Sequence, residues 1–410
     1  MRQFFLILLI TMVLSGTAAG LDIGFTLDSA TGVRQGADPD LSISHADTLE
    51  FWGMRHRGES PVGFYWRAWY RYSLDRPVAV ELEDLYLTAR LEGDAAAAAI
   101  RAGRFTLRDW GGTVFNHSQD GAGATISLGP VDMRVFAGTT ALIAGHRSTI
   151  FLSSLDTDNR DEIFGSPRVV SGVGLRLPNI LPGFTPVLEG ISQFEIRPDS
   201  DVAWNSQYIT LQMNQIIGGG FSIDMTGSAM FAQSAEAGST DFLLGYHGRA
   251  GLQYVQPQIA GLNLGLRGWY SSANEQNPVQ AGSLTVSRYQ PISTHNVASA
   301  LPVAVGGTFG GRLQGSVKPF GTGQPIWLQE FLLSVHGIPV FRSAPTAQPI
   351  EEVSLDNEDL YMGTEIGAGA ALRPTSDLGM RLGGGIFLPG GALTDNSLRW
   401  RAAVELSLSF

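Results

Sequence analysis

Apolar and polar residues alternate with a period of two along most of this 410-residue chain, in short runs separated by Gly, Pro, Asn, Asp and Ser. Such alternation is typical of strands with one apolar and one polar face, and no long helical period interrupts it. The pattern predicts eighteen strands, and one pair fewer or more, giving sixteen or twenty, would fit the same alternation. We expect them at about 21–28, 47–58, 61–72, 81–91, 97–104, 120–128, 131–139, 168–177, 186–196, 206–216, 220–232, 242–255, 262–271, 304–318, 327–340, 360–372, 377–388 and 398–410.

The last segment shows the alternation most clearly. Apolar residues fill the even positions from Leu398 to Phe410, while the odd positions are largely polar. A tilted strand needs roughly 9 to 11 residues to cross a bilayer, which this segment provides. It resembles the C-terminal strand of bacterial outer-membrane β-barrels, which ends in Phe. That resemblance implies Phe410 as an assembly signal, with outer-membrane lipid, periplasmic chaperones and the barrel-assembly machinery as partners. A soluble edge strand with the same alternation is the alternative.

The lengths of the predicted connections support a barrel independently. Bacterial barrels place short turns on the periplasmic side and long loops outside. The long links 140–167, 272–303 and 341–359 alternate with short ones such as 129–130 and 373–376. Counting back from the last strand then places both termini in the periplasm and the long loops outside the cell. The sequence therefore predicts an all-β fold, a transmembrane antiparallel up-and-down β-barrel.

The N-terminus has the features of an export signal. Met1 to Gln3 carry one positive charge, 4–14 is apolar, and 15–20 consists of small residues. This order is typical of a secretory signal peptide, with cleavage expected after Ala19 or Gly20. We therefore expect residues 1–20 to be removed and 21–410 to form a single barrel domain in the outer membrane of a Gram-negative type envelope.

Composition agrees with a membrane barrel. Only 16% of residues are charged, whereas soluble proteins carry about 25%. The net charge of −11 leaves no basic excess for binding nucleic acid. The absence of Cys excludes a disulfide scaffold. Aromatic residues such as Trp66, Trp69, Trp269, Trp327 and Trp400 lie near predicted strand ends, where interfacial girdles are expected.

The inward-facing positions of the predicted strands collect arginines. In a barrel, alternate residues of each strand face the lumen. By this rule thirteen Arg face inward against eight acids, and Lys318 is the only Lys of the chain. The inward arginines are Arg67, Arg71, Arg90, Arg101, Arg134, Arg176, Arg249, Arg267, Arg312, Arg373, Arg381, Arg399 and Arg401. The inward acids are Asp22, Asp84, Asp132, Asp224, Glu330, Glu365, Asp377 and Glu405. Either the arginines act on a solute in the lumen, or they pair with acids and rigidify the wall.

One region resembles a known family. The segment from Arg101 to Gly112, which begins Arg-Ala-Gly-Arg, together with 123–130 and 131–137, is similar to part of the alginate-export-type porins. In that family a strand ending in Gly-Arg leads into an outer loop and two further strands. The resemblance implies an arginine-rich passage for an anionic polysaccharide, with Arg101, Arg104, Asp132 and Arg134 as pore residues. Phe105 stands where the family usually has Gln.

Catalytic and metal motifs are weak. Asn116-His117-Ser118 has the residue types of the outer-membrane phospholipase triad, and 293–296 has a similar set, but adjacent residues on one strand cannot converge. The segment 156–162 has oxygen ligands suited to Ca²⁺, but it lacks the required Gly and contains an Arg. We therefore expect no enzyme, no metal site and no cofactor.

These observations favour a channel for small or extended hydrophilic, anionic solutes, with saccharides among them. An outer-membrane lipid-acting enzyme and a structural or adhesive surface barrel are the alternatives. We expect modest anion selectivity that shifts towards cations in an Arg101→Ala, Arg134→Ala double variant. The candidate pore residues are Arg67, Arg71, Arg90, Arg101, Arg104, Asp132, Arg134, Arg176, Arg249, Arg267, Arg312, Glu365, Arg381, Arg399 and Arg401.

Overall fold

The structure, a computed structural model, describes most of the chain after the predicted signal peptide. The described residues are 21–36, 40–55, 62–140, 148–150, 152, 156, 168–196, 202–236, 239–273, 279–281, 284–286, 288–321 and 323–410. The predicted signal peptide 1–20 and all of the acidic segment 156–162 except Asp156 lie outside them.

Nearly all of the regular structure is strand. The strands are β1 (Asp22–Gln35), β2 (Leu41–Arg55), β3 (Val62–Ser73), β4 (Ala79–Glu92), β5 (Ala97–Arg108), β6 (Asn116–Leu128), β7 (Val131–Thr139), β8 (Arg168–Arg176), β9 (Phe184–Glu195), β10 (Val202–Gly218), β11 (Phe221–Glu236), β12 (Ser239–Gln256), β13 (Leu262–Ser271), β14 (Val279–Ala281), β15 (Leu284–Val286), β16 (Thr308–Val317), β17 (Leu332–Arg342), β18 (Tyr361–Leu372), β19 (Leu378–Pro389) and β20 (Arg399–Ser409). A short helix, α1 (Ile326–Gln329), precedes β17. In these described parts of the chain, no helix is long and apolar enough to span a membrane.

Eighteen of these strands form one closed antiparallel sheet, and β14 and β15 form a separate hairpin. Each barrel strand pairs with its neighbours along the chain, and β1 also pairs with β20 from Thr26↔Ser409 to Gln35↔Trp400. Closure leaves no free sheet edge around the barrel as a whole. The predicted fold class and strand number are therefore confirmed.

Side chains alternate between the outer and inner faces as the sequence indicates. On β12, Phe242 is 72% exposed on the outer face, whereas its neighbour Leu243 is 2% exposed inside. Large exposed apolar residues recur in this way on strands around the barrel, which is the surface that lipid covers in a membrane barrel. Among the aromatic residues expected in girdles, Trp69 and Trp269 instead face inward, because they pair in register with the inward residues Glu81 and Gly310.

The two ends of the barrel differ in their connections. The start of β1 and the end of β20 lie at one end, called here the terminus end, where the backbone N–H of Phe25 donates to the Phe410 carbonyl at 3.0 Å. The connections at this end are short, except for 318–331, which contains α1. The three longest connections, 140–167, 272–307 and 343–360, lie at the opposite end, called here the loop end. The three longest connections share one end, as predicted, but the strict alternation of long and short links fails at 237–238 and 318–331, and the side of the membrane that each end faces stays a prediction.

Several predicted boundaries are wrong. The first two strands extend much further than expected, so that they are joined by 36–40 alone. Their outer faces carry polar residues that interrupt the apolar pattern but bond to one another: Thr31 Oγ1 lies 2.8 Å from His45 Nδ1, and His45 Nε2 lies 3.2 Å from Asp47 Oδ2. Trp327 does not begin a strand, because it lies in α1, where the Leu328 and Gln329 N–H groups donate to the carbonyl of the preceding Pro325.

The hydrophobic core lies inside the barrel, towards the loop end. Segments between strands fold into the lumen there and pack against inward apolar residues in two clusters. The first contains Phe105, Leu107, Val114, Phe115, Phe136, Ile150, Leu152, Val170, Ile191, Trp204, Tyr208, Met230, Ala232, Leu243, Tyr289 and Ile292. The second contains Leu301, Val303, Ile338, Val340, Val353, Met362, Phe387, Ala392 and Leu393. These clusters narrow the lumen near the loop end.

Candidate solute pathway

A hairpin made by the ends of β5 and β6 leaves the barrel wall. Pairing of β5 with β4 stops at Leu85↔Arg104, and pairing of β6 with β7 stops at Asp120↔Thr139. Between these points the two strands pair only with each other, as far as Arg108↔Asn116. Residues 105–119, called here the inner hairpin, therefore bend away from the wall and into the lumen.

Asp109 holds the tip of the inner hairpin in one shape. Its carboxylate accepts backbone N–H bonds from Thr113 at 3.1 Å, Val114 at 3.2 Å and Phe115 at 2.7 Å. These bonds satisfy donors that have left the sheet ladder and would otherwise be buried without partners. The carboxylate therefore makes the tip a compact, rigid turn.

The tip reaches strands well away from its own position in the wall. The backbone N–H of Trp110 donates to Glu189 Oε2 on β9 at 2.9 Å. On β12, Arg249 donates to the Gly111 carbonyl at 3.2 Å. The inner hairpin thus extends from β5 and β6 to the wall formed by β9–β12 and narrows the lumen.

A second segment, residues 288–307, crosses the lumen and is called here the strap. Tyr208 Oη on β10 donates to the Gln290 carbonyl at 2.5 Å. Further along, the Ser293 N–H donates to the Val114 carbonyl of the inner hairpin at 2.9 Å. Glu365 on β18 then accepts bonds from the backbone N–H groups of Ser299 and Ala300. The strap therefore runs from β10 to β18 across the inner hairpin.

Two cavities remain beside these segments. The hairpin cavity, of about 310 Å³, is lined by β5–β7 and the inner hairpin, including Arg101, Arg108 and Arg134. The glycine-wall cavity, of about 340 Å³, is bounded by β17–β20 and the strap, including His336, Arg381 and Arg401. A mouth cavity of about 500 Å³, towards the terminus end, shares wall residues with it. The glycine-wall and mouth cavities, which share Leu332, Ala371, Arg381 and Glu405, outline a candidate route for a hydrophilic solute.

Most predicted pore residues face the lumen, but many of the arginines are paired with acids. The ion pairs are Arg67 with Asp84 (2.7 Å) and Glu83 (3.1 Å), Arg134 with Glu189, Arg176 with Asp132 (2.6 Å), Arg249 with Asp224 (3.7 Å), Arg267 with Asp224 (3.5 Å) and Arg381 with Glu405 (3.2 Å). Arg71 lies on the same inward face of β3 as Arg67, opposite Ala79. These pairs fit the alternative interpretation, in which the arginines bind acids and rigidify the wall.

Two predicted pore residues are buried instead. Arg104 is 4% exposed and fills the place where β4 and β5 separate, donating to the Leu82 carbonyl at 2.8 Å and to Asp120 at 2.7 Å. Arg399 is 2% exposed and lies 3.5 Å from Glu352. Neither side chain faces an open passage, because strand separation at one site and loop packing at the other enclose the guanidinium group.

Several inward arginines that loops do not bury have no ion-pair partner among the described residues. Arg34, Arg90, Arg101, Arg312 and Arg401 belong to this group, and the structure leaves Arg34, Arg90, Arg101 and Arg401 exposed. Arg34 and Arg401 pair directly in register on β1 and β20. Like charges in opposite positions destabilise a sheet, so this pair is unfavourable unless an anion or water screens it.

The wall beside this pair is unusually bare. The inward residues one pleat away, towards the terminus end, are Gly32, Ala403 and Gly383, which lie side by side on three adjacent strands. A pleat repeat spans about 7 Å along a strand, so the two guanidinium groups stand at the edge of a strip without long side chains. A small solute can therefore approach both groups at the barrel wall.

Sequence reasoning missed several charged residues. Arg34 was missed because the first strand was ended too early, although its even position places it inward once the strand is extended. Glu50, Glu81, Glu189 and Glu195 also face inward and were not counted, so the predicted excess of thirteen Arg over eight acids is too large. Arg342 is fully buried and donates to loop carbonyls, including those of Pro345 and Ser354, and no sequence pattern marks that role.

The candidate catalytic residues do not converge. His117 Nε2 lies 3.1 Å from the hydroxyl of Ser148, whereas the Ser118 hydroxyl lies 3.0 Å from Thr106 Oγ1 on the other face of the hairpin. In the strap, burial together with nearby Arg249 holds the pKa of His295 below its usual value. Within the described residues, no group of three or more potential metal ligands is suited to a metal ion.

The barrel is similar to solved structures of Pseudomonas aeruginosa proteins. OpdL aligns with a TM-score of 0.61 at 12% identity, over 96% of this chain and 99% of that chain. The outer membrane protein OprD aligns with a TM-score of 0.58 at 11% identity, over 96% and 94%. OccK11 (OpdR) aligns with a TM-score of 0.57 at 13% identity, over 95% and 96%.

This likeness shows the fold, a barrel of the kind found in outer-membrane porins. No family model matches the sequence, and no curated protein matches it. The resemblance of 101–137 to the alginate-export-type porins gains no support from these structures.

Proposed function

We propose that this protein is an outer-membrane channel through which small hydrophilic solutes diffuse, with a preference for anions. The observation that carries the proposal is the exposed pair Arg34 and Arg401, which face each other across β1 and β20 without ion-pair partners in the described structure. Exposed Arg101 in the hairpin cavity adds a third such group.

The size of the barrel supports passage of solutes. Barrels of 16 to 18 strands enclose a water-filled lumen. In this protein the inner hairpin and the strap narrow that lumen, which brings a permeating ion close to the wall. Charges act over about 8 Å at physiological salt, so unpaired guanidinium groups near a narrow passage raise the local anion concentration.

The expected selectivity is modest for two reasons. Many inward arginines are neutralised by acids, as in the pairs of Arg134 with Glu189 and Arg176 with Asp132. Near the loop end, the connection between β17 and β18 carries Glu351, Glu352, Asp356, Glu358 and Asp359. These carboxylates oppose the entry of anions at that mouth.

The proposal includes location and solute class. The N-terminal segment 1–20 has the pattern of a cleaved export signal, which together with the barrel fold supports the outer membrane. Small organic carboxylates fit two adjacent guanidinium groups, because each can bind a carboxylate in bidentate geometry. Acidic saccharides are the narrower proposal, supported by the resemblance of 101–137 to alginate-export-type porins.

Reversal potentials across a KCl gradient test the proposal on the purified, refolded protein. We expect the wild type to favour Cl⁻, more strongly at low salt, and an Arg34→Ala, Arg401→Ala variant to shift towards K⁺. This variant is a cleaner test than Arg101→Ala with Arg134→Ala, because removing Arg134 leaves the buried Glu189 carboxylate without its ion-pair partner.

A matched control removes one charge of each sign from the same wall. Arg381→Ala with Glu405→Ala deletes an ion pair and should leave selectivity near that of the wild type. Cation preference in the wild type, or the absence of any conductance, would refute the proposed function. Competition by acetate and by a monomeric uronate then separates simple carboxylates from acidic saccharides.

A further inference from the structure

Glu365 differs from the other inward carboxylates of the barrel. Many of the others bond to guanidinium groups: Asp84 to Arg67, Asp132 to Arg176, Glu189 to Arg134, Asp224 to Arg267 and Glu405 to Arg381. Glu365 makes no ion pair with an arginine among the described residues, although its side chain is fully buried. Burying a carboxylate is costly unless hydrogen bonds compensate, so the groups that bond to Glu365 must offset that cost.

All of those partners except one belong to the strap. Glu365 Oε2 accepts the backbone N–H of Ser299 at 2.7 Å and that of Ala300 at 2.6 Å. Oε1 accepts the Ser299 hydroxyl at 2.9 Å and lies 3.0 Å from Nε2 of His336 on β17. Two successive N–H groups and a hydroxyl converging on one carboxylate form charge-assisted bonds, which are stronger than neutral ones.

The local backbone presents these donors to the wall. The strap folds back on itself, with a bridge between Asn296 and Ala304 and a bond from Val297 N–H to the Val303 carbonyl at 2.8 Å. Ser299 and Ala300 lie at the tip of this turn. On the wall, Gly367 leaves space for the His336 ring, because a Cβ there would lie 2.3 Å from the ring. The Ser299 and Ala300 donors lie beside the glycine-wall cavity, and Ser299 and His336 line that cavity.

We propose that Ser299 and Ala300 form a carboxylate-binding seat, and that Glu365 occupies it as an internal ligand that latches the strap across the lumen. The seat takes a small free carboxylate, such as formate, when the Glu365 side chain is absent. This inference rests on the proposed function in one respect, since its readout is current through the narrowed lumen.

The other attachments of the strap determine what release of the latch does. The end near β10 stays fixed by Tyr208 and by the contact of Ser293 with the inner hairpin. Next to the latch, Leu301 and Val303 pack in the second apolar cluster. These contacts remain when the latch is lost, so the strap then leaves its place only intermittently. Loss of the latch therefore produces excursions to a larger open level, on the side of the glycine-wall cavity.

Single-channel recording of Glu365→Ala in the full-length protein tests the latch, and formate tests the seat. We expect a larger open level that is absent from the wild type, and we expect formate at constant ionic strength to suppress it. Glu365→Gln keeps an oxygen acceptor for the two N–H groups and should stay near the wild-type level. Glu405→Ala is the matched control: it removes a carboxylate from the same wall without touching the strap and should show no formate-dependent level.

Heat-modifiable migration in gels shows whether each variant has folded. If Glu365→Ala does not fold, Ser299→Ala serves in its place. It removes only the hydroxyl bond from the strap, so the larger level should appear in a minority of its openings. A folded Glu365→Ala with wild-type currents overturns the latch, and a larger level that formate does not suppress overturns the carboxylate seat. Both failures leave the proposed function intact as long as the wild type conducts anions, whereas a silent wild type refutes that function first.

Discussion

At the scale of single residues, the role of an arginine in this barrel depends on what surrounds it. Arg34, Arg104 and Arg342 all lie on or beside strands, yet one is exposed to the lumen, one seals a gap in the wall and one binds loop carbonyls. Period-two alternation gives the face of a side chain but not its partners. For this reason the sequence predicts the inward face of most strand arginines but not their pairing.

We expect the stability of the strap to depend on pH through His295. Its pKa is lowered mainly by burial and further by Arg249 and Arg108, while Ser293 and Asp109 act in the opposite direction. The folded-state pKa of His295 lies below the unfolded value of about 6.5, so the unfolded chain binds a proton more readily at this residue. The contribution of neutral His295 to the free energy of unfolding is therefore complete above that pH and is lost as the pH falls. We expect proteolysis within the strap to accelerate between pH 7 and pH 5.

Replacement of His295 by Gln should flatten this pH dependence. His45→Gln serves as the control, because that imidazole lies on the outer face of β2, away from the strap. Equal acceleration in the wild type and in His295→Gln would show that another group is responsible.

At the scale of elements, alternation predicts strands well because one face of each strand meets lipid. It does not reveal where the inner hairpin leaves the wall, since Phe105 and Leu107 continue the same period beyond the last pairing of β4 with β5. A local sign does exist at Gly103, whose φ of +126° favours glycine. A side chain there would bring Cβ to 2.3 Å from the Leu85 carbonyl oxygen.

Asp109→Ala tests whether the hairpin sets the width of the passage. The change leaves three backbone N–H groups without their acceptor, a loss on the order of 3 kcal/mol in local stability. We expect a larger and noisier single-channel current. Asp109→Asn retains one acceptor oxygen and should be intermediate, and currents identical to the wild type in both variants would place the narrowest point elsewhere.

At the scale of the whole molecule, the terminal residue takes part in closing the barrel. The Phe410 ring stacks on Phe25 with centroids 4.9 Å apart, and its N–H donates to the Phe25 carbonyl at 2.9 Å. We expect Phe410→Asp to reduce the amount of heat-modifiable barrel in outer membranes, while Phe410→Trp, which keeps an aromatic pair worth about 1 kcal/mol, should assemble. Normal assembly of the Asp variant would contradict the assembly-signal interpretation.

The orientation of the barrel can be read from surface labelling. An epitope inserted after Gln348, in the 343–360 connection at the loop end, should be labelled on intact cells. One inserted after Gly321, at the end with the termini, should be labelled only after the outer membrane is opened. The reverse result would invert the barrel.

The seam between β1 and β20 also constrains the order of events during synthesis. Its register joins Thr26 to Ser409, so that almost the whole chain must be made before these strands can meet. Closing a loop of that length costs about 5 kcal/mol in chain entropy, which only the completed ladder offsets. Until then β1 keeps an open edge, and an open edge is a template for pairing with other chains. We therefore expect the slowest and most aggregation-prone step of folding to be the pairing of β1 with β20.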